Sequence, residues 1–349
     1  MQLPRIRFSR MTYATVAASL AFCAWTALAG LAMPAHAAEP EKLAIMVGGI
    51  DKLIYLPARV AERLGYFKAE GLDVELLSQP TGIDGENEML AGAVQGVVGF
   101  YDHTIDLQAR GTEVKTIVVF SQVPGEVQMV AAQSADTIRS MADVRGKTLG
   151  VTGLGSSTSF LTQYLARRAG VRRTQYTLLP VGADASFIDA IRRGRIHAGM
   201  TTEPTVTQLL KSGDAAVLVD MRNVEGTRAA LGGTYPGASL YVQTTWLDAH
   251  RLEAEKLARA FVRALRYLHS HSAEQIAAHL PQEDIGGDRA VFISALRASL
   301  PMYTVDGKMP ADGPPTVLKV LAGFNPAVTG RHIDLSRTFT NRFVDAVEP

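Results

Sequence analysis

Cysteine is nearly missing from this chain of 349 residues. The single one, Cys23, lies inside an apolar N-terminal stretch. A chain cleaved beyond it has none, which excludes disulfides, thiolate metal sites and a cysteine nucleophile together. An excess of charge of either sign is missing too. Lysine and arginine number 35 against 34 aspartates and glutamates, a net +1, so no broad basic face is available for nucleic acid. Beyond the N-terminal stretch no segment approaches the ~18 continuous apolar residues of a membrane span. Internal repeats and low-complexity tracts are lacking, and so is a G-x-S-x-G nucleophile elbow. What remains is ordinary globular material. With 47% hydrophobic and 20% charged residues the chain can bury a core, which excludes global disorder. The length suits one large or two ordinary domains.

Residues 1–37 read as an export signal peptide. Arg5, Arg7 and Arg10 form a basic start without acids, residues 16–33 are apolar, and Ala35 and Ala37 place small residues at a cleavage site. The competing reading is a transmembrane anchor. Phe22 precedes Cys23 where a lipobox needs a small residue, which favours a free protein over a lipoprotein. Loss of the segment removes three arginines and turns the net charge from +1 to −2.

The rest alternates between strand and helix patterns. Strands are expected at 43–47, 73–77, 94–100 and 116–120. Between the first two, Leu53, Leu56, Val60, Leu64 and Phe67 recur three or four apart and predict one amphipathic helix. A second series puts strands at 147–151, 177–181, 196–200 and 215–220, with helices at 156–169, 185–193 and 204–211. Such a series implies α/β architecture with mostly parallel sheets. From Leu252 onward the pattern is mainly helical, and Ser272-Ala273-Glu274-Gln275 reads as a capping box. Two α/β series and a helical return segment suggest two lobes with a cleft between them, its ligand beyond the carboxyl ends of the strands.

Tyr55-Leu56-Pro57, Gly65-Tyr66-Phe67 and Glu70-Gly71-Leu72-Asp73-Val74 resemble the opening of periplasmic substrate-binding proteins of the nitrate/sulfonate/taurine and thiamine-precursor (NMT1/THI5-like) group. Asp143-Val144-Arg145-Gly146-Lys147 with Leu149-Gly150-Val151, then Val181-Gly182, Asp189-Ala190, Gly194 and Glu203-Pro204, resemble later parts of the same group. The resemblance covers roughly 41–245. It implies a type II periplasmic binding fold with crossings near 128–131 and 240–244. Lobe I is then 41–129 plus 243–349, and lobe II 130–242. It also implies closure over a small ligand and delivery to an inner-membrane ABC permease by a monomeric, periplasmic protein without a cofactor.

The residues that follow strands are the binding candidates. In 153–159, Gly153, Gly155, Ser156, Ser157 and Thr158 combine a glycine turn, a helix start and hydroxyls, a natural seat for an anion. The stretch has no Walker lysine and lacks the third glycine of a dinucleotide fingerprint. An ordinary serine cap is the plainer alternative. Tyr101 can stack on a planar ligand, and Asp102 or His103 can fix its polar edge; equally, Tyr101 packs locally and Asp102 caps a helix. An inward-facing Asp102 would favour a ligand with a donor or positive group. Asp51 and Tyr55, then Gln79, Thr81 and Gly82, then Ser121 and Gln122, then Thr201 and Glu203, and Tyr235 near the second crossing complete the set. His269 and His271, two apart on a helix, face different ways and make no metal pair.

The expected function is solute capture for ABC import, the ligand a small organic anion such as a sulfonate, nitrate or taurine, held at 153–159 and covered by Tyr101. A heteroaromatic ligand of the pyrimidine or thiamine-precursor kind is the alternative, and an enzyme of the thiamine-pyrimidine synthase type the more distant one. Ser157→Ala and Tyr101→Ala are each expected to weaken binding while sparing stability.

Overall fold

The computed structural model describes residues 41–348, so the export signal expected at 1–37 and Cys23 lie outside the described residues. Ten strands form two five-stranded sheets. The first has the order β2-β1-β3-β10-β4, built from β1 (Glu41–Val47), β2 (Leu72–Ser78), β3 (Gly96–Phe100), β4 (Val114–Val119) and β10 (Ala238–Gln243). The second has the order β7-β6-β8-β5-β9, built from β5 (Glu126–Ala131), β6 (Thr148–Val151), β7 (Thr177–Pro180), β8 (Ala198–Thr202) and β9 (Ala215–Asp220).

Each sheet is parallel at β1, β2 and β3 or at β6, β7 and β8, and takes one antiparallel strand from the segment that arrives after a passage between sheets. β10 runs antiparallel to β3 and β4, and β5 antiparallel to β8 and β9. The passages themselves are 121–125 and 221–237, ahead of the positions expected from the sequence, because 128–131 and 240–243 are already strand. Both inserted strands are buried almost throughout and show no outward polar alternation.

Helices cover the sheets: α1 (Leu56–Arg63), α2 (Gly82–Leu90), α3 (Asp102–Ala109), α4 (Ser157–Arg168), α5 (Asp184–Arg192), α6 (Thr205–Ser212) and α7 (Val224–Leu231). The single helix expected from Leu53 to Phe67 is broken. A 3-10 turn precedes α1, Pro57 starts it, and Gly65 in the left-handed region (φ 70°) redirects the chain into a short turn at Tyr66–Ala69. The apolar spacing continues across the break because Phe67 still reaches the core, 5.3 Å from Phe261 between ring centres.

The C-terminal part is helical as expected. α8 (Arg251–Ser270) lays Leu257, Phe261, Leu265 and Leu268 against the first sheet, and the Ser272 side chain caps α9 (Ala273–Ala278) by accepting from the Gln275 N–H. α10 (Arg289–Ser299) packs on α6, and α11 (Gly313–Ala322) packs on both α3 and α4. No helix among the described residues is long and apolar enough to cross a membrane.

Candidate functional site

The carboxyl ends of β1, β2, β3, β6 and β8 and the amino ends of β5 and β10 converge, which brings loop residues from both sheets onto one small cavity. Its walls are Lys52, Tyr55, Gly82, Phe100 and His103 from the first sheet and Glu126, Thr152, Ser156, Ser157, Thr158 and Thr202 from the second. It encloses about 20 Å³, space on the order of one water molecule. The sheets touch directly around it. The Leu53 N–H donates to the Glu203 carbonyl at 3.0 Å, and a Cβ placed on Gly153 would lie 2.7 Å from Thr81 Cγ2.

The amino end of α4 faces this cavity, as the glycine turn and hydroxyls of 153–159 suggest. The hydroxyls, however, largely satisfy each other. Thr152 Oγ1, Ser156 Oγ and Thr158 Oγ1 lie 2.8–3.1 Å apart, and Ser156 also donates to the Gly153 carbonyl at 2.7 Å. Only Ser157 Oγ is left without a hydrogen-bond partner. It lies close to Asp102, Glu126 and Tyr235.

Opposite α4 stand carboxyls. Asp102 is fully buried at the start of α3. Its Oδ2 accepts from the Tyr235 hydroxyl at 2.8 Å, and its Oδ1 has no hydrogen-bond partner. Glu126, the first residue of β5, is 1% exposed, and its Oε2 is unpartnered as well. Burial pushes both carboxyls above their ordinary range, and Asp102 adds to the shift of Glu126. His103 presents an unpartnered Nε2, with its Nδ1 3.6 Å from Glu86 behind it. Burial raises Glu86 to about 7. Lys52 reaches in from the loop after β1, but its ammonium is anchored on the Gly48 and Pro80 carbonyls at 2.6 and 2.9 Å. Burial lowers it to about 8, against the pull of Asp184, Glu126 and Asp84. Tyr55 and Phe100 meet edge to face at 6.3 Å and supply the aromatic wall.

The sequence candidates therefore divide. Tyr55, Gly82, His103, Ser156, Ser157 and Thr158 line the cavity, and Asp102 and Tyr235 adjoin it, while the Thr201 hydroxyl is buried without a partner in β8. Thr81 and Gly153 form the contact between the sheets, with Thr81 also capping α2. The others go elsewhere. Tyr101 is a core residue, fully buried, with its hydroxyl on Thr338 Oγ1 at 2.6 Å and its ring against Phe339. Ser121 Oγ accepts from the Ala238 N–H and so serves the backbone at β10. Glu203 is held by Arg222 at 2.7 Å and by the Thr207 N–H and hydroxyl. Asp51 is an exposed partner of Arg59. Gln79 and Gln122 are half-buried and engage through their backbones, and Gly155 is the left-handed turn residue (φ +84°) beside Ile83. Lys52, Glu126 and Thr152 join the site without a sequence signal beyond their place next to a strand end.

Comparison with known proteins agrees with this architecture. The NMT1/THI5-like family matches residues 55–275. A protein of Bordetella bronchiseptica RB50 of known structure is 32% identical, with a TM-score of 0.83 over 88% of this chain and 96% of its own. The alkanesulfonate-binding protein SsuA of Xanthomonas axonopodis pv. citri, solved bound to MOPS, superposes with a TM-score of 0.70 at 17% identity, over 87% of this chain and 99% of its own. The curated 4-amino-5-hydroxymethyl-2-methylpyrimidine phosphate synthase of Legionella pneumophila is 27% identical over 160 residues, 46% of this chain. The match spans about half the length of that synthase, 49%.

Proposed function

The chain belongs to the NMT1/THI5-like family, and from that footing we propose that it is the periplasmic solute-binding component of an ABC importer. In this reading the two sheets are the cores of two lobes that close over a small ligand and present it to an inner-membrane permease. The lobes follow the sheets: the first ends near Phe120 and resumes at Ala238, and the second lies between.

The observation that carries the reading is the cavity itself, built at strand ends from both sheets and lined by groups with free hydrogen-bonding capacity. A site whose two walls come from different sheets is complete only when the sheets are together, so a ligand that touches both walls stabilises closure.

The same groups decide between ligand classes. Two buried carboxyls facing α4 work against a free sulfonate or nitrate, which would add a further negative charge beside them. They favour the heteroaromatic alternative, a ring beside Tyr55, Phe100 and His103 whose nitrogen donors face Asp102 and Glu126. The protein binds without chemistry. The likeness to the pyrimidine phosphate synthase names the competing reading, in which the bound compound is converted.

Calorimetry of the mature protein against sulfonates, nitrate, taurine and aminopyrimidines tests the proposal. Saturable, stoichiometric binding with the compound recovered intact is expected. Consumption of the compound would establish the enzyme instead, and no binding by any of them would leave only the fold.

A further inference from the structure

We propose that the cleft closes only over a positive charge seated between Asp102 and Glu126: the cationic nitrogen of a guest or, in its absence, a proton. The inference rests on the reading of the two sheets as lobes that open and close.

The geometry begins with two carboxyls delivered from opposite sheets. Asp102 starts α3 at the end of β3, and Glu126 starts β5. They are 0% and 1% exposed. Each has one oxygen with no partner, and the Ser157 hydroxyl beside both is unpartnered too. A buried carboxylate with an oxygen left unpartnered is costly to keep ionised, so two adjacent ones are not retained in a closed cleft unless something positive sits with them.

The surrounding groups supply it only in part: burial raises both carboxyls by more than Lys52 draws Glu126 down or His103 draws Asp102 down. The Lys52 ammonium donates to two carbonyls. His103 Nε2 stands 3.8 Å from Asp102 Oδ1, and its other nitrogen is shared with Glu86 at 3.6 Å. Asp106, on the same helix as Asp102, adds a further acid, itself paired with Arg110 at 2.9 Å. Tyr55, Tyr235 and Tyr241 are held in their neutral form by burial. With the pair itself included, four acids (Asp102, Glu126, Glu86 and Asp106) share this cluster with three bases (Lys52, His103 and Arg110).

Opening the cleft returns both carboxyls to water and toward their ordinary range near 4, so closure takes up protons. A group whose pKa is higher in the closed form favours closure fully below its open-form value. That advantage fades as pH rises, by about tenfold in the closed-to-open ratio per proton and pH unit. A guest carrying an ammonium, amidinium or protonated ring nitrogen replaces the proton and closes the cleft at a pH where the carboxylates stay ionised. A sulfonate does the reverse.

Small-angle scattering on the mature protein without added solute, between pH 5 and 8, tests this. The radius of gyration is expected to be small at pH 5 and larger at pH 8, and Glu126→Gln and Asp102→Asn to be compact at both, with circular dichroism showing each variant folded. A wild-type profile indifferent to pH, or variants that keep the full pH response, would overturn the proposal. At pH 8, compaction by ammonium, amidinium or guanidinium compounds supports it, and compaction by a sulfonate overturns it. A protein that responds to pH but to no solute would sink the receptor reading and leave this one standing. One that closes on a solute yet ignores pH would do the opposite.

Discussion

At the scale of single residues, Ser157 and Tyr101 separate although the sequence puts them in the same class. Ser157 Oγ is buried, unpartnered and beside the carboxyls, so Ser157→Ala removes little from the folded protein. The variant is expected to unfold within about 2 °C of wild type, and its ligand affinity to fall about tenfold, as for loss of one hydrogen bond of ~1–2 kcal/mol. Calorimetry beside a thermal melt reads both. Tyr101→Ala is expected to behave differently from the sequence expectation. Its ring fills the core and its hydroxyl meets Thr338, so the loss is one of stability, about 3–5 kcal/mol in a denaturant titration. What distinguishes the two residues is which way the chain turns after a strand. Both follow strand ends, and a tyrosine before Asp-His reads equally well as a stacking platform or as core. Lys52 and Glu126 show the opposite failure. A lone charged residue beside a strand looks like solvated surface, and only the other sheet, packed over it, makes it interior.

At the scale of elements, the parallel strands and the helices after β1, β6, β7 and β8 are legible because each carries its own signal, a short apolar run and then a helical repeat, whereas α2, α3 and α7 are not expected from the sequence. β5 and β10 are not, since neither is bounded by such a unit and both lie where the chain changes sheet. The break at Gly65 is hidden because apolar spacing persists through it. Gly153 shows how tightly the loops after β2 and β6 meet. An alanine there has no backbone strain to meet but collides with Thr81 Cγ2. Gly153→Ala is therefore expected to weaken ligand binding by about 10–100-fold, a closure cost of ~1–3 kcal/mol. Thr81→Ser, which removes that methyl and keeps the capping oxygen, should restore part of the loss. Equal affinities for the single and double variants would mean that the contact does not govern closure.

At the scale of the whole molecule, the two sheets repeat one plan, each completed by a strand that belongs to the other side of a crossing. The passages between the sheets are unequal, 121–125 and 221–237, and in the proposed reading the sheets are lobes that part about them. The contact of Gly153 with Thr81 joins the two sheets beside the cavity, and there the scarcity of sulfur becomes useful. A Cβ added to Gly153 would fall 3.3 Å from Thr81 Cβ, near the span of a disulfide. In a chain begun after Ala37, cysteines introduced at 81 and 153 would have only each other to oxidise with. The oxidised double variant should refuse solute from outside, or retain what it held when it was oxidised, until a reductant is added. The molecule would then act as a trap with a chemical key.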